Sequence, residues 1–220
     1  TTMPEFGWKG VGDSPLTGIT RNPHDPSRTT GGSSAGAAVL AALGIGHLHL
    51  GTDGLGSVRI PCSFSGVFGL KPSFGRVPAY PASPFGVLAH LGPMARSVAD
   101  AAAMLNVLAQ PDERDMLAWN SPPPDYRIGL DDGVRGLRIA WSPRMGHVRG
   151  LDPEVEAICA AAVRLFEGLD ARVEEAAPGF SGEDARAAAD IMWQSSAAAV
   201  LATLPEGRRP EQDPGFVAAG

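Results

Sequence analysis

The sequence predicts an α/β protein with a mixed or parallel sheet flanked by helices, and three observations carry that expectation. First, the second half runs strand, helix, strand, helix. Leu137–Trp141 alternates in polarity, Asp152-Pro153-Glu154 opens an amphipathic helix, Ala171–Glu175 is strand-like, and Glu183–Leu204 is helix-like. Second, the Ala-rich run from Ser33 to Leu43 follows a Gly-Gly pair and precedes the short apolar stretch Leu48–Gly51. Third, 220 residues at 44% hydrophobic content suffice for one sizeable core.

In order along the chain, residues 1–30 read as loop, because Pro4, Pro15, Pro23 and Pro26 are interspersed with glycines. Ser33–Leu43 reads as a buried helix with a serine in its N-cap region. Leu48–Gly51 reads as a short buried strand, Pro61–Gly69 as a helical turn, and Lys71–Pro84 as turns. Ser97-Val-Ala-Asp100 resembles a capping box opening a helix to about Ala109. A proline-rich polar link covers Pro111–Asp125. The helix from Asp152 places Val155, Ile158, Ala162, Leu165, Phe166 and Leu169 on one face, with Pro153 at its first turn. No internal repeat is present.

Composition narrows the function classes. A net charge of −6 argues against nucleic acid or an anionic membrane surface as the main partner. No unbroken run of about 18 apolar residues suggests a membrane span. No basic start leads into an apolar core, so no secretory signal is read. These features point to a cytoplasmic protein. The two cysteines, Cys62 and Cys159, read as isolated thiols rather than a disulfide framework. His47 and His49 lie two apart in a strand-like run and would share a face, but no third ligand follows at a suggestive spacing. No metal and no cofactor is expected.

The glycine–serine stretches are the informative ones. Gly32-Ser33-Ser34-Ala35-Gly36 fits the G-x-S-x-G nucleophile elbow in form, but that motif needs a strand leading into it. Here NPHDPSRTTG precedes it, with two prolines and no apolar run. No glycine cluster is followed by Lys-Ser or Lys-Thr, so a phosphate-binding loop is excluded. The glycines of GTDGLGSVRIP (51–61) lack the dinucleotide spacing, and Pro61 comes too early for a long helix. Taken alone, GGSS is a turn whose serine caps a helix.

Together the motifs say more. GGSSAGAAVLAALG (31–44), GTDGLGSVRIP (51–61) and GVFGLKPSFGRVP (66–78) occur in an order and at separations that resemble the amidase signature family. The flanking TTMPEFGWKG, RNPHDPSRT and LGPMARSVADAAAMLNVLA extend the resemblance over residues 1–109. It implies the amidase signature fold, a central mixed sheet flanked by helices, of which residues 1–220 would be the central part of one domain, truncated at both ends.

The resemblance also implies a chemistry. Ser57, which ends GTDGLGS, corresponds to the family's nucleophile, and Ser33, first of the GGSS pair, to its bridging serine on a cis peptide. Ser34 would be an auxiliary hydrogen-bonding residue. A serine hydroxyl attacks poorly unless a base takes its proton. In the family a neutral lysine does so through the bridging serine, giving an acyl-enzyme with release of ammonia or an amine. Backbone N–H groups from Gly54, Leu55, Gly56 and Ser57 would form the oxyanion hole. Asp53 and Arg59 would be scaffold, with Arg59 also a candidate for the polar end of a substrate. The loop Ala79–Pro84 and the region of Trp193 are candidate pocket segments.

Two departures from the family pattern stand out. Leu55 replaces a glycine, and a Cβ there disfavours positive φ. The family's lysine lies upstream of Thr1, and the chain's two lysines, Lys9 and Lys71, fall at framework positions. The expectation is therefore an amide hydrolase acting on a small-molecule amide, whose base lies outside this chain and whose isolated chain is inactive. The alternatives are the amidase subunit of a glutamyl-tRNA amidotransferase, or a catalytically impaired scaffold protein. A homodimer is left open.

Overall fold

The computed structural model describes residues 1–219 and shows a mixed α/β architecture in two compact units. One unit comprises Thr1–Ile128 with the segment from Met192 onward, and the other Gly129–Ile191.

After a 3-10 turn at Glu5–Gly7, the first unit has a small hairpin of two-residue strands, β1 (Asp13–Ser14) against β2 (Gly18–Ile19), inside an otherwise irregular segment. Helix α1 (Ala35–Ala42), strand β3 (His49–Asp53), helix α2 (Arg59–Ser65) and strand β4 (Phe68–Gly69) follow. Strand β5 (His90–Ala95) then runs between β3 and β4, antiparallel to both, and leads into helix α3 (Val98–Leu108). Small residues let the layers approach closely: Ala37 and Ala38 of α1 pack with Val58, Cys62 and Met94 in a core cluster. As expected, Ser97 caps α3 by accepting the N–H of Asp100 at 3.0 Å.

Strand β5 escaped the sequence reading because Gly92 and Pro93 are strand breakers. Proline is tolerated there for a local reason. The Pro93 carbonyl accepts the N–H of Leu70, so its nitrogen faces the same side, where β4 has already ended at Gly69. The pairing with β3 therefore loses no donor.

Other boundaries shift as well. The first helix starts at Ala35 rather than Ser33, and Ser34 makes no capping bond because its hydroxyl is engaged by β3. The strand read at Leu48–Gly51 is His49–Asp53, with Leu50 exposed and only Gly51 and Asp53 buried. His47 lies in the bend before it, so His47 and His49 do not share a strand face. The turn read at Pro61–Gly69 is a helix that already begins at Arg59.

In the second unit β6 (Arg138–Trp141) and β7 (Arg172–Glu175) pair in parallel, with helix α4 (Pro153–Gly168) as the crossover. Asp152 caps α4 by accepting the Glu154 N–H at 2.8 Å. The α4 face expected to be core contains no buried residue: Ile158 is 62% and Leu165 69% exposed. Periodicity forecast the helix but not its cover. Helix α5 (Gly182–Thr203) begins in this unit, and its last turns, with Ala197, Val200 and Leu201, pack on Phe216 of helix α6 (Pro214–Ala219) in the first unit. Among the described residues the strands form three small sheets, two antiparallel and one parallel.

Candidate active site

Strand β3 ends at Asp53 and α2 starts at Arg59, so residues 54–58 form the loop between them. Asp53 organises that loop. Its carboxylate is 1% exposed and accepts the N–H of Gly56 at 2.7 Å and of Val58 at 3.2 Å. The Arg59 guanidinium grips it at two points, Nε to Oδ2 and Nη2 to Oδ1, both at 2.9 Å. Burial pushes the Asp53 pKa up, but the Arg59 hydrogen bonds and charge, with the two backbone donors, hold it below the ordinary carboxylate value. The charge placed in this apolar neighbourhood is thus fully partnered.

Gly56 is the position where the loop needs glycine. Its φ is +126°, and a Cβ there would lie 2.7 Å from Ile60 Cδ1. Leu55 does not have positive φ and points outward at 45% exposure, so the leucine in place of glycine is accommodated without backbone strain.

The second serine segment is tied to the first. The Ser34 N–H donates to the Ser57 carbonyl at 3.2 Å, joining the two loops backbone to backbone. The Ser34 hydroxyl accepts the Thr52 N–H at 3.1 Å and donates to the Thr52 carbonyl at 3.3 Å. The Gly32–Ser33 peptide is cis, as the resemblance implies.

Ser33, Ser57 and Gly54 line one cavity of about 430 Å³, a size suited to a small molecule. Its walls are largely apolar. Phe85 and Trp193 face each other with ring centroids 4.6 Å apart, and Trp193 packs over Gly54. Tyr80, Pro81 and Pro84 of the expected loop also line it. Sequence reasoning missed Phe6, Phe85, His90, Leu91 and Val200 as lining residues. Only the fold brings these five together with Ser57, and no local pattern marks them.

Four of the expected binding residues do not line the cavity. Ser34 is committed to Thr52, Leu55 points outward, Arg59 is held by Asp53, and Gly56 contributes its N–H to Asp53. The Arg59 side chain and the Gly56 N–H are thus both engaged by the Asp53 carboxylate. Among the described residues, the N–H groups of Gly54, Leu55 and Ser57 are the ones in this loop left without a protein acceptor.

Neither lysine lines the cavity. Lys9 is clamped between Asp213 at 2.6 Å and Asp13 at 3.0 Å. Burial acts to lower its pKa, but the bonds to both carboxylates outweigh this and raise it, so Lys9 stays charged. Lys71 donates to the Pro72 carbonyl. Cys62 is no rival nucleophile: burial and the Asp53 charge push its thiol up to about 12, which keeps it protonated. No group of three or more metal-ligating side chains occurs among the described residues.

An acylamidase of Rhodococcus erythropolis is 44% identical over 179 residues, 81% of this chain and 37% of its own length. The A subunit of the glutamyl-tRNA(Gln) amidotransferase of Lactiplantibacillus plantarum is 42% identical over 176 residues, 80% of this chain and 36% of its own. The crystal structure of a bacterial aryl acylamidase of the amidase signature family superposes with a TM-score of 0.83 at 33% identity, over 99% of this chain and 45% of that one. The chain thus spans little more than a third of the length of these sequence relatives. The family model for Amidase matches residues 1–212, and the chain belongs to the amidase signature family.

Proposed function

We propose that the protein hydrolyses the C–N bond of a small apolar carboxamide, with Ser57 as nucleophile and Ser33 as the proton-relaying bridge. The observation that carries this reading is that the two serines, 24 positions apart in sequence, line one cavity on loops joined by the Ser34–Ser57 backbone bond. Ser57 Oγ would attack the carbonyl carbon while its proton passes through Ser33 to a base. The uncommitted N–H groups of Gly54, Leu55 and Ser57 are the candidates for stabilising the resulting oxyanion. Collapse breaks the C–N bond, and the amine leaves carrying the proton. Water then attacks the acyl ester and restores Ser57.

Because both lysines are engaged elsewhere, we place the base outside this chain and read the chain as the central part of a single amidase domain. The exposed apolar side of α4 and the outward-facing Leu48 and Leu50 at edge strand β3 support that view. Two free thiols suit a reducing, cytoplasmic setting. The cavity favours an apolar amide over glutamine. None of its lining residues is Lys or Arg, so nothing among them would hold an α-carboxylate.

The test is fluorophosphonate labelling followed by peptide mass spectrometry, with ammonia release measured alongside, on the product of the complete reading frame. The expected adduct is on Ser57, and Ser57→Ala loses both labelling and turnover, by roughly 10³-fold or more. Turnover that survives Ser57→Ala overturns the assignment. Turnover by the isolated 220-residue chain, kept in Lys9→Ala and Lys71→Ala, overturns the placement of the base.

A further inference from the structure

The cavity that holds Ser57 also holds a histidine the proposed chemistry does not use. His90, the first residue of β5, sits opposite Asp53 in the β3–β5 register. Its Nδ1 is 2.8 Å from the Leu88 carbonyl oxygen and 3.2 Å from the Asp53 carbonyl oxygen. Carbonyl oxygens only accept, so Nδ1 must carry the hydrogen, and the tautomer this fixes has its lone pair on Nε2. The edge-on contact with Phe74, centroids 5.9 Å apart, further fixes the ring. Nε2 has no protein partner among the described residues, and it is absent from the buried polar atoms left unpaired, so it opens to accessible space. His90 lines the cavity.

We propose that His90 is a specificity-determining residue: its Nε2 accepts a hydrogen bond from an N–H of the bound amide. The proposal rests on the amide reading of the site. The surrounding wall offers apolar contact from Phe85, Trp193 and Leu91, which retains a flat apolar group without distinguishing an amide from its ester. An accepting nitrogen makes that distinction, because primary and secondary amides carry an N–H and esters do not. One of the two anchoring carbonyls belongs to Asp53, the residue that precedes the Ser57 loop, so the end of β3 contributes to positioning both the acceptor and the nucleophile.

Binding to the chain as it stands provides the test, with benzamide and methyl benzoate as the probes. Benzamide is expected to shift the ¹⁵N resonance of His90 Nε2 upfield, toward the hydrogen-bonded state, while methyl benzoate leaves it in place. His90→Asn keeps a donor for the Leu88 and Asp53 carbonyls and removes Nε2. It should weaken benzamide roughly tenfold and methyl benzoate hardly at all. His90→Gln, which reaches further into the cavity with a carbonyl oxygen, should recover part of the loss. Equal weakening of both probes, an unmoved Nε2 resonance in the unsubstituted chain, or no measurable benzamide binding overturns the proposal. The resonance measurement needs no variant, so a misfolded substitution does not blunt it. Ser57 labelling reports separately on the nucleophile. Labelling with no benzamide–ester discrimination removes His90 alone, whereas discrimination without labelling removes Ser57 and leaves His90 as a binding residue.

Discussion

The loop between β3 and α2 and the helix α4 are built on opposite principles. The loop has almost no regular pattern, yet a single buried carboxylate pins it: Asp53 alone accepts from Gly56, Val58 and the Arg59 side chain. Helix α4 has an N-cap, a proline in its first turn and a continuous apolar stripe, yet none of its residues is buried. Strong local signals therefore mark where a helix forms, and weak ones can accompany the most constrained part of a molecule. Local structure needs only neighbours in sequence, whereas constraint needs partners that the fold delivers.

The sharpest way to break the contrast is Asp53→Ala. It strands the Gly56 and Val58 N–H groups and the Arg59 charge at once, and urea unfolding should show a loss of about 3 kcal/mol, a figure kept moderate because Arg59 is half exposed. The same group governs acid sensitivity. Its folded pKa lies below the ordinary carboxylate value, so its contribution to stability is complete above that ordinary value and fades as pH falls through the folded one. Acid titration of the unfolding midpoint should show that loss in the unsubstituted chain and less of it in Asp53→Ala. A parallel pH dependence in both would shift the origin of acid sensitivity to other carboxylates.

A smaller effect is expected at Gly56→Ala, where positive φ and the Ile60 methyl both resist a Cβ. The cost should be about 2 kcal/mol by the same unfolding assay. A neutral result would mean that the loop relaxes and that its geometry is set by Asp53 alone. The smallest effect belongs to the other side of the comparison. Leu165→Ala on α4 should change the stability of this chain by less than about 0.5 kcal/mol, because the side chain is already 69% exposed. In a longer polypeptide that covers α4, the same substitution should cost about 2 kcal/mol or more. An equal effect in both would show that nothing packs on this face.

How much of this could be read beforehand differs from element to element. Helices α3 and α4 were legible because Ser97 and Asp152 cap their own chains within three residues. Strand β5 was not, because Pro93 is acceptable only where β4 has already stopped. At the site, Ser33 and Ser57 stood out through the family resemblance of their glycine-rich motifs, and Asp53 with Arg59 was read as scaffold, but the orientations of the Gly56 amide and the Leu55 side chain were not legible. Each is settled only once the loop has folded. His90 has no local signature, since its significance lies in a cavity formed by residues as distant as Phe6 and Val200.

By itself the sequence determined the family, the two serine segments, the helices that cap themselves and the strand–helix–strand–helix order of the second half. These rest on short-range geometry and on motifs whose residues are contiguous. Only the tertiary structure decided which amides in the Ser57 loop are uncommitted, that Arg59 faces Asp53 rather than the cavity, and that a histidine shares the cavity with the serines. Hydrogen-bond partners and cavity walls come from segments far apart in the chain, and their pairing exists only once the chain has folded.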